Sequence, residues 1–243
     1  MKFGNYNLAK VNRLYKSKWD LMDRVAVWMA TILISSILIM TTFNIFFYQS
    51  EVVGPSMQPT YNILAPDVMD KEEIDRSPYR DHIIVSRFRQ PKLGEVAIVE
   101  LPSQTIIKRV IATGGQTLTL KKNIDDEYYS FYLDGTKLDE SYIKDPTDMD
   151  YKYMKDFVSN PALFNIFKNA VSMQDEFGYE MVQIYVPEGY VYVAGDNRGN
   201  SADSKAYGLI KTSDLRGTVV LHYAYDDSLL GVIVRSLVDF FSF

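Results

Sequence analysis

Gln104-Thr105-Ile106-Ile107-Lys108-Arg109-Val110-Ile111 is the stretch on which the reading of this chain turns. Five of its eight residues are β-branched, so it reads as a strand, and a lysine stands in its middle. Taken alone, a lysine in an apolar run guards an exposed sheet edge. Runs of the same texture recur on both sides. Val52-Val53, His82 to Ser86, Glu95 to Glu100, Thr117 to Leu120 and Tyr128 to Leu133 are bounded by Gly, Pro and Asp signals, as are Met181 to Val186, Tyr190 to Ala194 and Gly217 to Tyr225. Several alternate apolar with polar residues, which suits half-buried antiparallel strands. The fold class expected is therefore mainly β, an antiparallel domain.

Between Tyr142 and Met181 the period changes. Asp156-Phe157, Leu163-Phe164, Ile166-Phe167 and Val171 recur at helical spacing around Pro161, predicting a partly helical insertion over about 146–181. The C-terminal run 229–243 is apolar but contains Arg235 and Asp239, and it is too short for a comfortable membrane span. It reads equally as an amphipathic helix at a membrane surface or as a terminal helix packed on its own domain.

At the other end, no residue from Val25 to Tyr48 is charged. Roughly 20 apolar residues cross a bilayer, whereas the apolar region of a secretory signal is only about 7–15 long. Residues 25–48 thus read as an uncleaved transmembrane anchor. Residues 1–24 carry six Lys or Arg against two Asp, so the positive-inside rule places this segment in the cytoplasm and residues 49–243 outside. The whole chain has a formal charge of −5, so the part beyond residue 24 is acidic and shows no nucleic-acid footprint. With hydrophobic residues at 47% and no cysteine, this part must be held by core burial and not by disulfides.

Two histidines are present, His82 and His222, both inside strand-like runs, and there is no Gly-x-Ser-x-Gly elbow. A His-Glu-x-x-His metal motif is also missing. Lysine can replace histidine as the base for a serine nucleophile if its pKa falls from about 10.4 toward 7–8, which needs about 4 kcal/mol of destabilisation of the charged form. Apolar surroundings supply such a term, and Lys108 has them on both sides.

Gly54-Pro55-Ser56-Met57-Gln58-Pro59-Thr60, Lys108-Arg109-Val110, Gly114-Gly115 and Gly195-Asp196-Asn197-Arg198-Gly199-Asn200-Ser201-Ala202-Asp203-Ser204 occur in the order seen in type I signal peptidases. The chain resembles that family over most of its length, and Phe131 to Tyr142 resembles a hairpin region of the Gram-positive members. The resemblance implies a membrane-anchored serine endopeptidase that removes signal peptides from exported preproteins after small-x-small sites, with no cofactor. Ser56 resembles the nucleophile, Lys108 the general base, Ser201 a hydroxyl that orients the lysine amine, and Asp203 a supporting carboxylate. Lys205 stands where the family usually has arginine. Val52, Val53, Met57, Ile106 and Ile107 match positions that line small apolar subsites. Signal peptides, the lipid bilayer and the secretion translocon are the partners implied.

The Ser56 backbone N–H is the expected first oxyanion donor, while Gly54 stands where some relatives carry a serine hydroxyl. Arg109, Asp196, Asn197 and Arg198 are read as structural supports that keep the site in register. Two rival readings remain at this stage: a homologue that binds exported segments without cutting them, and a penicillin-recognising enzyme built on Ser141-Tyr142-Ile143-Lys144.

Overall fold

A computed structural model describes residues 8–63, 80–155, 170–175, 178–224, 227–231 and 233. It divides into two compact units, Met1–Phe46 and Phe47–Phe243. In the first, Leu8–Phe46 is one α-helix (α1). Its portion Asp20–Phe46 has a mean hydropathy of 2.0 and is long and apolar enough to cross a membrane. The helix ends at Phe46 and not at Tyr48, because Phe47 and Tyr48 open a strand.

The second unit contains twelve described strands: β1 Phe47–Glu51, β2 His82–Ser86, β3 Val96–Glu100, β4 Thr105–Thr113, β5 Thr117–Lys121, β6 Ser130–Leu133, β7 Thr136–Lys137, β8 Ala170–Gln174, β9 Glu180–Tyr185, β10 Tyr190–Ala194, β11 Ile210–Lys211 and β12 Leu215–Tyr223. A seven-stranded sheet runs β1-β2-β12-β3-β4-β10-β11, and a five-stranded sheet runs β7-β6-β5-β9-β8. Every pairing in both is antiparallel, which is the expected fold class.

The crossover between sheets follows β4, whose nine residues end at Gly114-Gly115 before β5 begins. A Cβ on Gly114 would stand 2.9 Å from the Glu188 Cα, so only glycine allows the chain to turn this closely. β10 serves both halves of the core because alternate side chains of a strand face opposite ways. Its Tyr192 and Ala194 pack with Leu118, Leu120, Phe131 and Ile184 of the small sheet. Val191 and Val193 pack on the other side with Ala97, Val99 and Val110. A third cluster joins Val52, Met57 and Tyr61 to Ile83, Val85, Ile98 and Ile107, and it supports the loop that follows β1.

Three expectations need correction. Val52-Val53 is not a strand, since β1 ends at Glu51 and the chain then bends toward Ser56. The insertion is helical only at Met149–Met154, a π-helical turn, among the described residues, and its far end forms β8 against β9. Val171 belongs to that strand, whereas the Phe157 and Leu163 to Phe167 positions lie outside the described residues. Of the C-terminal run, residues 229–231 and 233 are helical, and the rest lies outside the described residues.

Candidate active site

Lys108 lies in the middle of β4, opposite Ala97 of β3. Both faces of the sheet are covered there, and Lys108 is only 3% exposed. Burial pulls its pKa from 10.5 down to about 8, against the opposing pull of Asp203 and Asp196, which favour the charged form. Its Nζ donates to the Ile107 carbonyl at 2.8 Å and stands 2.8 Å from Ser56 Oγ. A neutral amine anchored this way has a lone pair left for the serine proton.

Ser56 is carried by the loop after β1, and three neighbouring segments fix that loop. Asn62 is the first anchor: its Nδ2 donates to the carbonyls of Val52 and Gly54 at 2.8 and 3.0 Å. It also exchanges a pair of hydrogen bonds with Asp81, which in turn faces His222 Nε2 at 2.9 Å. The second anchor is the segment after β10. Asn197 donates its N–H to the Ser56 carbonyl at 3.1 Å and its Nδ2 to the Pro55 carbonyl at 3.2 Å. Register brings this segment into place, since Ala194 pairs with Arg109 and the next residue, Gly195, arrives level with Lys108. A Cβ on Gly195 would lie 2.5 Å from the Ser56 carbonyl and 2.2 Å from Ser201 Oγ, so no side chain fits between them.

Arg109 and Asp196 form the third anchor. The side chain of Arg109 turns to the face opposite Lys108 and binds Asp196 through two hydrogen bonds of 2.9 and 2.6 Å. It also donates to Thr60 Oγ1 at 3.2 Å and to the Gly94 carbonyl at 2.8 Å, and it stacks on Tyr142 at 4.0 Å. Four segments thereby share one guanidinium. Beside it, the fully buried Arg198 pairs with Glu140 at 2.5 Å and donates to the Gly195 carbonyl at 2.9 Å. Arg198 was read from the sequence as a support, whereas Asn62, Asp81 and Glu140 were not singled out, because nothing local in the chain marks pairings that span up to 141 positions.

Asp203 is completely buried and caps the helix Ser204–Tyr207 by accepting from the Lys205 backbone N–H at 3.1 Å. Its second oxygen accepts from the Gly195 N–H at 3.0 Å. The carboxylate thus fixes Gly195 and also accepts from the main-chain amide of Lys205. Ser201 departs from expectation: its Oγ is buried without a hydrogen-bond partner, so it does not hold the Lys108 amine. The Ile107 carbonyl does that instead. The Ser56 N–H has no acceptor among the described residues, which leaves it available to a developing oxyanion.

A cleft of about 610 Å³ adjoins Ser56 and Lys108. Val53, Ile83, Ile98, Ile106 and Ile107 give it apolar walls, and Glu51, Gln104 and Thr105 add polar groups. Val52 and Met57 do not share that lining. They are 2% and 0% exposed and pack inward in the cluster beneath the cleft, because the bend after Glu51 points them at the sheet. The cleft follows the line of β4, so a peptide lying in it extended has strand edges to pair with.

Ser141 and Lys144 do not form a second such pair. Ser141 is exposed with its N–H held by Asp139, and Lys144 Nζ reaches Gln58 Oε1 at 2.8 Å. Among the described residues, no group of three or more His, Cys, Asp or Glu side chains is placed to hold a metal ion.

Residues 25–224 match the family described as "Signal peptidase, peptidase S26". Signal peptidase I of Mycobacterium tuberculosis (strain H37Rv) is 28% identical over 244 residues, covering 89% of this chain and 74% of that one. Signal peptidase I of Bacillus amyloliquefaciens is 25% identical over 204 residues, covering 84% of this chain and 90% of the relative. Among solved structures, a signal peptidase I from Enterococcus faecalis aligns at 23% identity with a TM-score of 0.34, over 54% of this chain and 98% of the other.

Proposed function

The chain belongs to the signal peptidase family, peptidase S26, and from that premise we propose that it is a membrane-anchored serine endopeptidase that removes signal peptides from exported preproteins. The observation that carries the proposal is the 2.8 Å contact between the buried Lys108 amine and Ser56 Oγ. A serine hydroxyl is a weak nucleophile unless a base removes its proton, and Lys108 is the group within reach to do so. Neutral Lys108 takes the Ser56 proton as Oγ attacks the scissile carbonyl. The tetrahedral oxyanion is met by the Ser56 N–H. Collapse expels the amine of the mature protein, which takes its proton from Lys108. The signal peptide is left esterified on Ser56. Water, deprotonated by Lys108, then hydrolyses the ester.

The apolar cleft supports small side chains before the cut, and the apolar helix supports a single membrane span with a cytoplasmic N-terminus and the remainder outside. In this reading the partners are signal peptides, the bilayer and the translocon that delivers the substrate.

Because Lys108 must be neutral to act, kcat/KM rises with pH and levels off above about 8. The test is cleavage of a small-x-small preprotein by the detergent-solubilised wild type, Ser56→Ala and Lys108→Ala, with product masses fixing the cut site. Cleavage by the wild type alone is expected. Equal cleavage by either variant would refute the assignment of residues, and substrate retention without cleavage by the wild type would favour a binding protein.

A further inference from the structure

The connection from β2 to β3 reads Arg87-Phe88-Arg89-Gln90-Pro91-Lys92-Leu93, and peptide cleavage makes no use of it. Phe88 is 64% exposed and Leu93 43% exposed, although the loop that bears them is fixed. Thr218 Oγ1 of β12 donates to the Arg89 carbonyl at 2.9 Å, and the Lys92 N–H donates to the Glu95 carboxylate at 2.9 Å. Two large apolar side chains are thus held out into solvent.

Basic groups surround them. Arg89 pairs with Glu95 and Arg216 with Glu100, while Arg87 and Lys92 have no carboxylate partner among the described residues. Arg87 lies over the Tyr48 ring at 4.4 Å. This local excess of positive charge stands out on a chain that is acidic beyond residue 24. Strand register gives its location. Phe47, the first residue after the apolar helix, pairs with Ser86, so the loop begins one residue beyond that pair. The chain therefore enters the sheet at the end from which this loop projects.

We propose that the 87–93 loop docks on an anionic lipid headgroup layer. Arg87 and Lys92 bind lipid phosphates, and Phe88 and Leu93 enter the boundary between headgroups and acyl chains. This rests on the reading of the helix as a membrane anchor. Polar rims around an apolar tip are what such a surface requires, and the opposite charge of the lipid makes the fit selective.

The absence of cysteine lets single spin labels report on the full chain. Phe88→Cys, Ile124→Cys and Ile34→Cys, each labelled with a nitroxide, are placed in nanodiscs of phosphatidylcholine with or without an equal part of phosphatidylglycerol. Collision with oxygen against a water-soluble nickel complex reads the depth. The expected result is a lipid-facing label at 88 in the anionic discs, a water-facing one at 124, and return of 88 to water when Arg87→Glu and Lys92→Glu are added. A label at 88 as aqueous as that at 124 in both discs would overturn the proposal. So would a lipid-facing label that ignores both phosphatidylglycerol and charge reversal. An aqueous label at 34 would instead overturn the anchored reading itself.

Discussion

Replacing Lys108 by methionine should make the protein more stable at neutral pH even as it destroys activity. Methionine is of similar length and needs no water, while the folded chain holds Lys108 with a pKa of about 8 in place of 10.5 because burial penalises its charge. Between those two values the unfolded chain binds a proton that the folded chain has lost, so wild-type stability rises with pH across the window. A displacement of this size corresponds to about 3 kcal/mol. Below pH 8 the whole penalty is present, and above 10.5 it is gone. The variant also loses the bonds to Ser56 and Ile107, roughly 1 kcal/mol each, but that loss is a constant offset. Tyr61, whose pKa burial pushes up to about 12, titrates alike in both proteins and cancels in the difference. The assay is urea unfolding in detergent at a series of pH values, followed by the near-ultraviolet dichroism of the 18 tyrosines. The stability difference, variant minus wild type, should shrink by about 3 kcal/mol between pH 7 and 10.5. A difference that stays constant would refute the claim that Lys108 is destabilised by burial.

Gly195→Ala should lower kcat far more than it raises KM, by about 100-fold or more, since its Cβ would push the Ser56 carbonyl and the Ser201 side chain aside; steady-state cleavage kinetics check this. Glu140→Gln removes the charge that Glu140 sets against the buried Arg198 and should cost about 3–5 kcal/mol in urea unfolding. Glu100→Gln, which releases only the exposed Arg216, should cost less than about 1 kcal/mol in the same assay. Ser201→Ala removes a buried hydroxyl that has no partner, so thermal unfolding should show unchanged or slightly raised stability, and a drop of several degrees would contradict the geometry described.

The strand texture around Lys108 was legible because β-branched residues with turn signals between them are a local property, and so was the apolar helix. Strand ends moved by a residue or two. β8 was hidden because Ala170-Val171-Ser172-Met173-Gln174 gains its conformation from pairing with β9 and not from its own composition. The Ser56 and Lys108 positions could be found because two motifs flank them. Some of their supports could not, since Asn62, Asp81 and Glu140 are ordinary residues until folding places them. The family resemblance pointed to Ser201 for orienting the amine, whereas a main-chain carbonyl one residue from Lys108 does so, and main-chain atoms leave no mark in a sequence. Val52 and Met57 were assigned to the cleft on matching position alone. The bend after β1 decides which way they face.

The pairing of β4 with β10 has a consequence for timing. Ser56 and Lys108 emerge early during synthesis, but the segment that clamps Ser56 begins at Gly195, after both strands and the entire small sheet between them. Contacts so distant along the chain form late and slowly. A chain still being made therefore holds Ser56 and Lys108 without the segment that fixes the Ser56 carbonyl. If the proposed mechanism holds, activity waits until about the last fifth of the polypeptide has arrived.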